Sequence, residues 1–312
     1  MSTRLLPVLD VAGAIEGREI IGLTIGSREE AIVLAATPTD ASVALGRHGE
    51  PGWASFADAR AKRPYEVSLL IVDGDDVSSR TLAGLTMAHP SVQPLPDGET
   101  LVVGSRVRRS AEEQAANAAV YDADGALVRE FVLGDGIEDV QTTEDGAIWV
   151  SYFDEGVYGN YGWGRPGGAR PIGASGLARF DRFGELQWEF EPPSPDLAID
   201  DCLALNVSGD VAWAYYYSSF PLVRIDGNEV EWWDVPVDGA CAVAIREESA
   251  WLVGGYGNER MRCVVCRFAD RQLVEHERFL LATPFGELPE TARIAARGES
   301  IYALDGTTLY RA

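Results

Sequence analysis

The chain has 312 residues, 46% of them hydrophobic, four cysteines and a net charge of −23. That charge excludes general nucleic-acid binding, which needs a cationic surface to displace counterions, and it disfavours anionic membranes. No run of about 18 apolar residues exists, and the opening MSTRLLPVLDV lacks the basic and apolar segments of a signal peptide. A cytoplasmic protein is therefore expected, and sparse cysteines fit that.

In chain order, residues 4–11, RLLPVLDV, read as a strand with no hairpin partner nearby. GLTIGSREEAIVLAA, from Gly22, reads as two apolar strands around a polar turn. The same unit returns at Val92 (VQPLPDGETLVVGS), Val140 (VQTTEDGAIWVSY), Ala204 (ALNVSGDVAWAYY), Ala242 (AVAIREESAWLVGG) and Ala292 (ARIAARGESIYAL). Alternating β-branched and aromatic residues around Asp-Gly-type turns are the signal of a hairpin. A second hairpin follows each of the first five units: LLIVDGDDVSSRTLA, AAVYDADGALVREFVL, LARFDRFGELQWEF, LVRIDGNEVEWWDV and VVCRFADRQLVEHERF. Two hairpins make a four-stranded antiparallel sheet, and radial repetition of such sheets makes a β-propeller. The last unit ends at TTLYRA, one strand short. Residues 4–11 are expected to supply that strand and close an all-β, six-bladed ring, one domain over residues 1–312. Closure also covers an edge otherwise open to aggregation. The alternative is an open or seven-bladed ring with a degenerate blade hidden in residues 37–66.

This repeat pattern resembles the six-bladed propellers of the broad NHL, TolB-like and SMP-30/gluconolactonase-like group, over the whole chain. The resemblance implies, for hydrolase members, acidic and asparagine metal ligands at the channel mouth. Their PNG-type segment does not occur here.

In such a blade the loop between the second and third strands emerges on the same face as the connection to the next blade. On this face, the top, four long segments are expected: 37–66, 104–117, 154–175 and 254–262. Long loops on a rigid scaffold are common sites of function. The third, DEGVYGNYGWGRPGGARPIGASG, combines glycines with aromatic side chains, which supply contact area with few torsions to freeze. Tyr158, Tyr161, Trp163 and Arg165 are expected to wall or cover a ligand site; plain packing on the next blade is the other reading. These top segments, with a residue or two of the adjoining strands, hold 11 basic and nine acidic residues, so the excess negative charge lies elsewhere. SRVRRS is the densest basic spot, and its Arg106 and Arg108 suit a carboxylate, a phosphate or a flat ligand. The other reading is a solvated strand end paired with Glu112 and Glu113.

The connections between blades bring acids toward the central channel: Glu16, Glu19, Glu138, Asp139, Asp200, Asp201, Asp238, Glu287 and Glu290, with His89 in their place at blade 2. Converging carboxylates suit a hard divalent cation such as calcium, with Glu19, Asp139 and Asp201 as candidate ligands. Acids of an acidic surface are the plainer reading. His89 is a candidate for ligand binding. Cys263 and Cys266 share one strand and point to opposite sides, so CVVC is expected to hold buried thiols. His48 lies in the long blade 1 loop, and no triad is legible by spacing.

Three functions fit. The first is a propeller binding a small molecule or peptide on its top face. The second is a metal-assisted hydrolase or lactonase with a carboxylate-lined channel. The third is a scaffold for protein partners using exposed aromatics such as Trp232 and Trp233.

Overall fold

A computed structural model of the chain describes residues 5–50, 52–74, 76–109, 115–165 and 168–312. Among these residues, six four-stranded antiparallel sheets follow one another in chain order. Their innermost strands are Glu19–Ile25, Pro90–Pro94, Ile137–Thr142, Asp201–Ser208, Ala240–Arg246 and Arg293–Arg297, which open blades 1 to 6. The protein is a six-bladed β-propeller.

The ring closes as the missing strand requires. Leu6–Asp10 pairs antiparallel with Thr308–Arg311 at the outer edge of blade 6. Arg4, also expected in this strand, lies outside the described residues. Leu5 and Val11 flank the strand, fully buried, and donate backbone hydrogen bonds to the carbonyls of Ala282 and Thr307 at 2.8 and 2.9 Å. Apolar residues at both ends thus anchor a strand whose own side chains face mostly outward.

The core consists of six clusters, each filling the wedge between two successive blades. Strands buried on both faces explain the near-continuous apolar runs, such as AIVLAA at Ala31–Ala36. Cys263 and Cys266 fall in the wedges on opposite sides of blade 5, and all four thiols are free. The expectation of an exposed aromatic surface at Trp232 and Trp233 is corrected: both are partly buried. Trp233 packs at 5.6 Å from Trp213 and 5.0 Å from Phe268, and Trp232 lies under the Arg271 guanidinium at 4.3 Å. As neighbours on one strand the two rings point to opposite faces, Trp233 into the wedge beside blade 5 and Trp232 against the wedge beside blade 3.

Polar side chains lace the inner strands together. The Gln93 amide donates to Thr24 Oγ1 and the Ile25 carbonyl, and Gln141 donates to the Leu205 carbonyl while accepting from Val207 N. Asn206 donates to the Val243 and Gly298 carbonyls. Arg297, 2% exposed, donates to the Val207 carbonyl at 2.9 Å, Gln93 Oε1 at 3.0 Å, the Ile25 carbonyl at 3.3 Å and the Thr142 carbonyl. One guanidinium from blade 6 therefore ties blades 1 to 4.

Hairpin turns on the bottom face are short, and the long loops gather on top. Two of them carry their own helices, Pro38–Ala44 and Asp154–Tyr158. The first is also shorter than the expected 37–66, because the third strand of blade 1 already begins at Arg60. Register shifts between Arg60, Tyr65 and Val67, and solvent along most of this extension, remove the alternation that marks a strand. Residues 110–114, with Glu112 and Glu113, and residues 166–167 lie outside the described residues.

Candidate functional site: a cationic cleft under the top loops

The glycine-rich segment of blade 3 folds inward because its glycines allow close backbone approach. A side chain at Gly136 or Gly156 would overlap the other's backbone, and one at Gly162 would overlap the Arg109 carbonyl. Gly162 and Gly164 both have positive φ, 97° and 68°, which suits glycine. Between these turns Trp163 is buried, with its indole N–H donating to the Val107 carbonyl at 3.2 Å and the Arg109 guanidinium 4.9 Å from its ring. Trp163 is thus the anchor that holds this loop on the blade 2 loop, rather than an open wall.

Tyr161 follows the same docking. Its φ is +46°, a left-handed value rare for a bulky residue. Its carbonyl accepts from Arg109 N at 2.9 Å, and its own N–H donates to Asn160 Oδ1 at 2.7 Å. The Arg106 and Arg108 guanidinium carbons lie 4.3 and 4.0 Å from the ring centroid, within cation–π range.

The two arginines differ in their partners. Arg106 is buried and makes a bidentate bond to Asp135 at 3.0 and 3.1 Å. Asp135 also accepts from Val107 N at 2.8 Å. Arg106 Nη1 is ion-paired with Glu155 Oε2 at 2.5 Å, without the alignment of a hydrogen bond. Arg106 is therefore neutralised and structural to the loop. Arg108 is exposed, and among the described residues no carboxylate pairs with it.

In front of these groups lies a cleft of about 390 Å³ whose lining includes His48, Asp58, Arg60, Lys62, Val107 and Arg108. His48 and Asp58 come from the blade 1 loop, where the short hairpin Arg47–His48 with Phe56–Ala57 holds them. His48 Nδ1 stands 2.8 Å from Asp58 Oδ1. On its other side His48 Nε2 is 3.4 Å from the Tyr161 hydroxyl, a loose contact that joins the blade 1 and blade 3 loops. Arg60 bonds Thr86 Oγ1 at 3.1 Å; among the described residues neither it nor Lys62 has a carboxylate partner. Among the described residues, the cleft lining therefore carries net positive charge on a strongly acidic protein.

The other expected site residues are distributed around it. Tyr158 is exposed on the far side of its helix, where its hydroxyl donates to Asp200 Oδ1. Arg165 is exposed at the loop surface. His89, at φ +50°, closes the blade 1 loop from below: its Nε2 is 2.8 Å from the Gly46 carbonyl and its backbone N–H donates to the Ala44 carbonyl at 2.7 Å. The expected set thus separates into anchors (Trp163, His89, and Arg106, which also lines the cleft), the lining residue Arg108, Tyr161, which touches the lining through His48, Arg106 and Arg108, and outlying residues (Tyr158, Arg165). His48, Asp58, Arg60 and Lys62 belong to the cleft but had no place in the set. The charged and polar residues of GRHGEPGW and DARAKR are a weak signal, because they carry no fixed spacing.

The channel acids also separate. Glu138 and Asp139 line a central cavity of about 150 Å³ together with Cys241. Burial pushes Asp139 up to about 6, against bonds from Gln141 and Val140 N that lower it. Burial, then the Asp139 and Asp201 charges, push Glu138 up to about 7, although an open face toward the channel lets solvent moderate the effect. Asp201 is raised by burial and by Asp154. Glu19 lines a different groove with Arg18 and Arg293. Among the described residues, no three His, Cys, Asp or Glu side chains form a group that could hold a metal ion. No helix among them is long and apolar enough to cross a membrane.

A family model described as the YxzG family matches residues 173–312, from the end of the blade 3 loop through blade 6. No curated protein matches the chain. Among solved structures, the β-propeller domain of Cps50 (Swd1) from Myceliophteria thermophila is similar, with 11% identity and a TM-score of 0.51, covering 95% of this chain and 96% of that one. Apo AztD from Citrobacter koseri is 12% identical with a TM-score of 0.42, covering 91% of this chain and 79% of that one. At these identities the similarity is one of fold.

Proposed function

We propose that this propeller is a binding protein whose top-face loops hold a small molecule bearing a carboxylate or phosphate group. The observation that carries the reading is the cleft itself: Arg60, Lys62 and Arg108 face one cavity of about 390 Å³, in a chain whose net charge is −23. Cations concentrated against the overall charge favour an anionic ligand and focus it on this one spot. Arginine suits both anions through its planar fork of donors. The cavity volume is within the range of small-molecule sites, roughly 300–1,000 Å³. The glycine-rich loop contributes as a clamp, with Trp163 anchoring it and Tyr161 braced against two guanidinium groups. Membership of the NHL, TolB-like and SMP-30-like group is part of this proposal, supported by six four-stranded blades and closure by the first strand.

The test is thermal shift against inorganic phosphate, pyrophosphate, citrate and succinate, for the wild type, Arg108→Ala and Lys62→Ala. A ligand at a hundred times its Kd stabilises by about 2.7 kcal/mol, which moves a melting midpoint measurably. At least one anion should stabilise the wild type and act less on both variants. Equal shifts in all three proteins, or none with any anion, would remove the reading.

A further inference from the structure

We propose that Tyr161, at the edge of this cleft, is a nucleophile that accepts a phosphoryl group, with the lining residue His48 as its base. The proposal rests on the anion-binding reading for its choice of donor, an activated phosphoryl compound. It rests on separate geometry for the chemistry. Asp58 Oδ1, His48 Nδ1, His48 Nε2 and Tyr161 Oη form one chain, with steps of 2.8 and 3.4 Å across the imidazole. Carboxylate, imidazole and hydroxyl in this order are the arrangement that activates a hydroxyl for attack, and such contacts are often loose before a substrate binds. Asp58 is the positioning residue, holding the ring so that Nε2 points to the phenol.

Two further features favour attack at this oxygen. The Arg108 guanidinium, 4.0 Å from the ring centroid and with no carboxylate pairing among the described residues, favours negative charge as it develops on the phenol. Tyr161 also sits at a left-handed φ, and residues held in such conformations cluster at functional sites. In the step, the phenol proton passes to His48 Nε2 as a bond forms from Oη to phosphorus. The bond from phosphorus to its leaving group breaks, and the leaving group departs with the electron pair. Arg60, Lys62 and Arg108 line the cavity and would face the non-bridging oxygens.

The experiment uses a neutral arylsulfonyl fluoride, whose tetrahedral sulfur takes the place of phosphorus and whose labelling does not require anion binding. The phenol oxygen displaces fluoride, and the adduct is located by peptide mass spectrometry. Tyr158 and Tyr256, both more exposed than Tyr161, are internal controls. The expected result is an adduct on Tyr161 ahead of both controls, absent in Tyr161→Phe. It should form about a hundred-fold more slowly in His48→Gln, the low end of what a positioned base contributes. The rate in the wild type should rise with pH through an ionisation that His48→Gln lacks, and Asp58→Asn should alter that profile, which a merely structural role would not do. Labelling of Tyr158 and Tyr256 at least as fast as Tyr161, or equal Tyr161 rates in wild type and His48→Gln, would overturn the proposal. Phosphate or pyrophosphate binding is measured on the same samples. Binding without selective Tyr161 labelling removes the nucleophile and leaves the binding site; selective labelling without binding keeps the nucleophile and removes the anion site.

Discussion

Arg297 Nη1 and Gln93 Oε1 meet at 3.0 Å near the axis of the ring, although 204 residues separate them in the chain. The contact joins blade 6 to blade 2 across the centre, where every inner strand converges. Burial pushes the Arg297 guanidinium down to about 10, partly offset by the Asp139 charge, so it stays protonated at neutral pH.

Removing this hub should loosen the whole ring. Arg297→Met keeps the bulk but leaves three carbonyls and the Gln93 amide oxygen short of a donor. Each unsatisfied buried acceptor costs about 1–3 kcal/mol, moderated where a sheet bond remains. A loss of about 2–4 kcal/mol is expected in denaturant unfolding. A midpoint equal to that of the wild type would show that the axis does not hold the blades.

Closure by the first strand makes a second prediction. Deleting the residues up to Asp10 would expose the edge of Thr308–Arg311 and remove the anchor Leu5. An unpaired edge templates association. The truncated protein should melt at lower temperature and run as oligomers in size-exclusion chromatography, where the intact chain is the reference.

The loop clamp can be tested apart from the ring. Gly162→Ala places a methyl group on the Arg109 carbonyl at a backbone position of φ 97°. Strain of this kind costs about 1–3 kcal/mol, and here undocking the loop relieves it. Fluorescence should report greater solvent exposure of Trp163, while far-ultraviolet circular dichroism stays unchanged. A variant whose Trp163 stays buried would mean that the loop tolerates the methyl group.

Asp135→Ala should act more severely on the same loops. It strands the buried Arg106 guanidinium, whose remaining carboxylate is Glu155. Breaking a buried pair from one side costs about 3–5 kcal/mol. The double variant Asp135→Ala, Arg106→Met should recover part of that loss, which a double-mutant cycle measures.

The channel acids set a pH dependence with a definite sign. Glu138 is raised from its ordinary 4.5 to about 7, and Asp139 from 3.8 to about 6, so the folded ring holds their protons more tightly than the unfolded chain does. Their contribution is fully present below the ordinary values and is lost as pH rises through the raised ones. Glu138→Gln should therefore be more stable than wild type above pH 7, the difference closing toward pH 4.5. Melting curves across that range check it; a constant difference would contradict the displacement.

Much of the fold was legible because its rules are local. Hairpin turns such as EDGAI near Gly146, and period-two alternation on either side, mark strands within a dozen residues. Counting those units gave the blades, and the missing last partner pointed to the first strand. The blade 1 extension from Arg60 escaped, since a bulged, solvated strand keeps no alternation. The site was legible only as a set of loops sharing one face. Arg108 and Tyr161 were singled out by type, whereas Trp163 and Arg106 are anchors; His48 was placed in its loop without a role, and nothing pointed to Asp58.

Sequence by itself determined the number of blades, the closing strand and the face that carries the long loops, because each follows from patterns among neighbouring residues. Only the tertiary structure decided that Tyr161 meets His48 across 113 residues, that Arg297 reaches four other blades, and which basic side chains line one cleft. Those relationships depend on where the closed ring places each loop in space, and no local pattern in the chain records that.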